Sequence, residues 1–300
     1  MMARQILRGS TRARGFTLVE AVVTIVVIGI IGAIVAVFIR APILGYTDSV
    51  ARAEASDEAD LALRRMARDI RLALPNSVRV SPDGDAIEFL QTVTGGRYLA
   101  LEDGAAAGTP LDFADPANTA FTVVGGLRAN VAAGQFVVVY NLGPGMAPAD
   151  AWNLGAADRN IARVAQDAGA GDDTLRLADN PFARGDDAMP SPGSRFQVVS
   201  GAVMYRCEAA GTDFVLRRFS GHDIEPAMPT VPRNASAAVL ARRVAGCANV
   251  FRYGAQDDEL RRGALVLLSL ALHARNASAD SGEAGRTVRL VHQVHIDNTP

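Results

Sequence analysis

From Phe16 to Ile39 the chain is apolar almost without interruption, and after that stretch the pattern changes twice. Between Ala21 and Ile39 no residue is charged, and only Thr24, Gly29 and Gly32 break a run rich in Val and Ile. A helix rises ~1.5 Å per residue, so ~20 apolar residues cross a bilayer, and this segment qualifies. A helix buried in a soluble domain keeps a polar face over such a length, and this run has none. Further on, Leu63, Met66, Ala67, Ile70 and Leu74 recur at helical spacing. Arg64, Arg65, Arg68 and Arg71 lie largely off that stripe, and Asp60 pairs with Arg64 at i,i+4. The basic run reads as a solvated face balanced by Asp57, Glu58, Asp60 and Asp69. Pro42 and Gly45 predict a kink or short break near 40–46, and Pro75-Asn76 predicts the end of the helix.

Beyond residue 76 the period shortens to that of strands and turns. Ala86–Leu90, Gln135–Tyr140 and a hairpin of Phe196–Cys207 with Phe214–Arg218 read as strands. Ala264–Leu272 reads as a strand with Val288–Ile296 as its antiparallel partner, and it is too short to span a membrane. The stretches 102–120, 143–160 and 221–237 are rich in Ala, Gly, Pro and Asp and read as long loops. The fold class expected is α+β, a long N-terminal stem helix packed on a mainly antiparallel β head.

Charge adds an orientation. Arg4, Arg8, Arg12 and Arg14 precede the apolar run, and no acid lies among residues 1–15. Positive flanks stay cytoplasmic, so the head is expected outside the inner membrane. An ordinary signal peptide would end in small residues, but Arg40-Ala-Pro-Ile-Leu follows Ile39, so the segment is expected to be retained. Glu20 is out of place here. A carboxylate in the hydrocarbon is costly, and such acids usually mark function and have a partner. The alternative is an interfacial Glu that reaches headgroup water.

Gly15-Phe-Thr-Leu-Val-Glu20 followed by a Val/Ile-rich run resembles the class III signal of type IV pilins and type II secretion pseudopilins. The resemblance implies cleavage between Gly15 and Phe16 by prepilin peptidase and N-methylation at Phe16. It also implies that Glu20 pairs with the N-terminal amine of a neighbouring subunit during assembly. Two charges that are costly alone in a low-dielectric stem then neutralise each other. The blocks Asp60–Val80, Met204–Cys207, Val244–Cys247 and Phe251–Tyr253, with Arg262-Gly-Ala-Leu-Val-Leu, are similar to large minor pilins of the mannose-sensitive haemagglutinin (MSHA) biogenesis family, MshO type. The region about 100–190 matches nothing of that kind. The implied organisation is a leader 1–15, a stem helix 16–75 with its membrane segment at 16–39, and a periplasmic or extracellular head 76–300.

The remaining composition narrows the chemistry. The net charge is −2, which argues against a dominant nucleic-acid footprint, and all thirty basic residues are arginine, a composition bias rather than a functional signal. Cys207 and Cys247 would lie in an oxidising space, where a single disulfide is the preferred reading over two buried thiols. His292 and His295, three apart on a strand, point to opposite faces, and His222 and His273 have no metal-ligand spacing. Asp172-Asp173 and Asp186-Asp187 lack a calcium-loop pattern, and Asn234-Ala-Ser and Asn276-Ala-Ser are sequons by pattern only. No cofactor or metal is expected.

The leading reading is a non-enzymatic minor pilin whose partners are prepilin peptidase, other major and minor pilins, and the inner membrane. A minor pseudopilin of type II secretion is close to it. The tip-most pseudopilin type generally lacks the acid at the Glu20 position. An adhesin or DNA-uptake head would need a patch, for which Arg217-Arg218, Arg242-Arg243 and Arg261-Arg262 are candidates. A membrane-tethered enzyme fits least, since no convergent catalytic set is visible.

Overall fold

The computed structural model describes residues 15–104, 107–211, 213–253, 264–274 and 287–299. One helix, α1 (Leu18–Ile70), leads into an antiparallel sheet, which is the α+β arrangement expected. Thr17 caps α1, its hydroxyl accepting the Glu20 N–H at 3.2 Å. The helix runs through Pro42 without the break expected near 40–46. A proline removes one hydrogen bond from the ladder, and the turns on either side carry the helix through it. The helix ends at Ile70, five residues short of Pro75. Leu74 is therefore not on the helix stripe. It bonds through its N–H to Leu90 O and packs in a separate cluster with Trp152.

The two halves of α1 differ in what they touch. Among the described side chains from Leu18 to Val50 the large apolar ones are exposed, and the uncharged window has a mean hydropathy of 3.2 with none of it buried. From Ala51 onward Ala55, Ala59, Ala62, Met66 and Ile70 face the sheet and are buried. Alanines at the first contacts let the helix backbone come close. The larger Met66 and Ile70, each fully buried, contribute ~1.5–3 kcal/mol apiece through burial.

Twelve strands join among the described residues. They are β1 (Arg79–Val80), β2 (Ala86–Tyr98), β3 (Ala120–Val124), β4 (Phe136–Val138), β5 (Ile161–Arg163) and β6 (Thr174–Arg176). The second half adds β7 (Arg195–Ala210), β8 (Asp213–His222), β9 (Ser236–Val244), β10 (Phe251–Arg252), β11 (Leu265–His273) and β12 (Thr287–His295). The main path runs β10-β11-β9-β8-β7-β2-β3-β6, with β12 on β11, β1 on β2, and β4 between β5 and β7. The expected β7–β8 hairpin and β11–β12 pair are both present, the latter in register from Leu265 opposite His295 to His273 opposite Thr287.

β2 and β7 are the spine. At one end Ile87, Phe89, Val203 and Tyr205 meet α1 and the inner face of β11. At the other end Tyr98, Phe196 and Val198 form a second core with Phe121, Leu175 and Phe182. That second core is built from the region about 100–190. Of its strands the sequence pattern shows only β4, within Gln135–Tyr140, because each strand is only three to five residues long.

Candidate functional site

Phe16 and Glu20 stand at the open end of α1. Phe16 is 71% exposed, and Glu20 lies in the first helical turn, where a negative charge complements the helix dipole. The spacing Thr17-x-x-Glu20 is that of a capping box, but only its backbone half is made. The Glu20 carboxylate has no partner among the described residues. Thr24, the next polar side chain, turns its hydroxyl back onto the carbonyls of Glu20 and Ala21 at 2.8 and 2.9 Å. The segment thus satisfies its own hydroxyls and leaves one acid available. Arg4, Arg8, Arg12 and Arg14 lie outside the described residues.

Residues 10–36 match the prokaryotic N-terminal methylation motif family. The chain carries a pilin-type methylation motif. That motif indicates a type IV pilin-like or pseudopilin protein processed by prepilin peptidase and assembling with other pilins. Its family is structural rather than enzymatic. The helix that begins within the motif is long and apolar enough to cross a membrane. No curated protein and no solved structure matches the chain, so the motif speaks for the stem and not for the head.

The stem is fastened to the head by acids that the sequence places on a solvated face. Asp69 is buried. It accepts from Tyr205 Oη at 2.7 Å and from Arg218 Nε at 2.7 Å, with Arg65 Nε at 3.5 Å. Burial first, and the Asp69 hydrogen bond second, push the Tyr205 phenol up, which keeps it a neutral donor. Glu58 accepts from Arg243 at 2.9 Å and from the Arg242 N–H at 2.7 Å. Asp60 does pair with Arg64, at 2.7 Å on the exposed side. The correction has a simple cause. A helix period shows which residues share a face, but a second face can meet a strand carrying the opposite charge.

The head's candidate residues spread apart. The structure joins Cys207 on β7 to Cys247, just after β9, as a disulfide with a Cα–Cα distance of 5.3 Å, within the usual range for a bridge. Arg217 pairs with Glu208, Arg218 with Asp69, and Arg243 with Glu58, so these pairs form no common patch. Arg261-Arg262 and Asn276 lie outside the described residues. His292 and His295 sit opposite Leu268 and Leu265, and His295 Nδ1 is 2.8 Å from Ile296 O. Among the described residues no group of three or more metal-ligating side chains gathers. Asp172 accepts from the Gly169 N–H at 2.6 Å, and Asp186 and Asp187 lie in a short 3-10 turn.

One buried cluster has no signal in the sequence. The Glu88 carboxylate, with no exposed surface, accepts from Arg79 Nε at 2.7 Å and lies 2.6 Å from His222 Nε2. Arg79 lies over the Trp152 ring at 3.7 Å and donates to the carbonyls of Pro226 and Glu225 at 2.6 and 2.9 Å. Burial lowers the Arg79 guanidinium's pKa, and the Glu88 charge opposes that shift. The cluster pins the long loop after β8 to the sheet. Its members lie up to 143 residues apart, from Arg79 to His222, so no local pattern could gather them.

Proposed function

We propose that this chain is a non-enzymatic minor pilin that takes part in assembling a type IV, MSHA-like pilus. Prepilin peptidase cuts after Gly15, Phe16 becomes the methylated terminus, and Glu20 docks on the amine of a neighbouring subunit. The positive flank, residues 1–15, stays cytoplasmic, and the head, 76–300, lies in the periplasm and then on the filament. Cys207 and Cys247 bond in that oxidising space.

A single observation carries the reading. An exposed apolar helix long enough to span a bilayer keeps, within the methylation motif, an acid in its first turn that has no partner among the described residues. Such an acid is costly in one chain and is neutralised when a second chain brings a positive terminus into register. The gain is axial register more than raw stability.

The test is Glu20→Gln in cells that make the filament. Processing of the variant should be unchanged, and its share in sheared filaments should fall at least tenfold. Wild-type incorporation would overturn the docking role. The proteins that co-purify with the processed wild-type chain then separate a pilus from a type II secretion filament.

A further inference from the structure

On the outer face of the second core, β2 and β7 place Arg97 directly opposite Arg195. Residues paired in this way share one face, so two guanidinium groups stand side by side. Like charges directly opposite each other are destabilising unless something between them is negative. The same rows set Gly95 opposite Gln197 and Arg97 opposite Val124 of β3. Gly95 leaves the floor bare between these side chains. A Cβ there would lie 3.0 Å from Phe196 O, so the strands also need the glycine for their own approach. The turns at Gly125-Gly126 and at Gly193 form the walls, and Arg128 stands beyond the first of them. Together they enclose a groove of about 600 Å³, a size typical of small-ligand sites.

The groove is positive after its acids are counted. Asp103 pairs with Arg97. Asp172 is turned onto the Gly169 N–H, and Asp173 onto the Thr174 hydroxyl. Asp297 feels the charge of Arg195 only as the smallest influence on its carboxyl. Neither the Arg128 nor the Arg195 side chain makes a hydrogen bond or ion pair with the described residues, and both residues are exposed.

The lining decides among anions. Its aromatic ring, Phe196, is buried at 1% exposure, so no ring is offered for stacking a base. Planar guanidinium forks suit carboxylates, and Gln197 can meet hydroxyls. We propose that this groove binds a carboxylated saccharide through Arg128, Arg195 and Arg97. The assignment makes the head a glycan-contacting surface and is independent of how the stem assembles.

The test uses the full-length chain in detergent and measures binding by calorimetry to galacturonic acid, trigalacturonate, neutral galactose and a DNA duplex. Wild type should bind the charged sugars, more weakly as salt is raised, and not galactose. Binding of trigalacturonate but not the monomer would point to a surface polysaccharide as the source, and equal binding to a free sugar acid. The pair Arg128→Ala and Arg195→Ala should weaken binding at least tenfold with unchanged circular dichroism, and Arg195→Lys with Arg128 intact should weaken it less than the double variant does. The proposal is overturned if wild type binds no charged sugar, if galactose binds equally, or if the double variant binds as wild type does. Tighter binding of the duplex, lost in the same double variant, would replace it with a nucleic-acid site.

Discussion

Tyr205 donates its hydroxyl to Asp69 at 2.7 Å, joining the last turn of the stem helix to the central strand of the head across 136 residues of sequence. Arg218 reaches the same carboxylate oxygen from the next strand. Removing the acid leaves a buried phenol and a largely buried guanidinium without their partner. Asp69→Ala should therefore cost about 3–5 kcal/mol, and Tyr205→Phe about 1 kcal/mol. Chemical denaturation of the two single variants and the double variant should yield a coupling energy of about 0.5–3 kcal/mol. Strict additivity would mean that the contact does not hold the stem.

The same phenol makes the junction sensitive to alkali. Its folded pKa is raised, by burial first and then by Asp69. A group raised in this way contributes stability that is fully present below its unfolded pKa, ~10 for tyrosine, and is lost as pH rises toward the folded value. Stability should fall above about pH 10. Tyr205→Phe should flatten that fall, leaving the share of Tyr98, whose phenol is also raised by burial. Denaturation midpoints measured from about pH 8 to about pH 11 check it.

Glu88 holds Arg79 and His222 at once inside the head. Glu88→Ala strands Arg79 and His222 in a dry site and should cost about 3–5 kcal/mol. The loop after β8 should then become the first region to lose amide protection in hydrogen exchange. Loss of protection at the β11–β12 pair instead would mean that the cluster does not anchor this loop.

The bridge from Cys207 to Cys247 spans 40 residues and encloses β8 and β9. Replacing both cysteines by serine should lower stability by about 2–4 kcal/mol. Thiol labelling of chain taken from the periplasm should find neither sulfur free before reduction.

The stem and head meet through alanines. Ala59 is fully buried against the sheet. Ala59→Leu should cost about 1–3 kcal/mol by overpacking, read as a lower melting temperature. Ala53→Leu, on the exposed side of the same helix, should change it little.

Gly15 is the expected cut point. Gly15→Leu should leave the chain at the mass of the unprocessed form, with no methylated Phe16 in the mass spectrum. Normal processing of that variant would remove the leader assignment.

The stem was legible because its signals are local. An apolar run, a stripe at helical spacing and the order Gly15-Phe16-Thr17-Leu18-Val19-Glu20 are each read within a few turns of chain. The β7–β8 and β11–β12 pairs were legible for the same reason, since neighbouring runs with alternating or apolar character tend to pair. Sequence alone also marked Glu20 as the acid in need of a partner, because its cost depends only on the apolar residues beside it. Tertiary structure decided the rest. Asp69 and Glu58 read as solvated until β8, β7 and β9 brought Arg218, Tyr205 and Arg243 against them. Glu88 looked like a strand residue until Arg79 and His222 closed on it. Arg97 and Arg195 became one site only through the register of β2 with β7. Period determines which way a side chain points. What it meets there is set by strand register and helix placement, which depend on long-range packing that no local pattern contains.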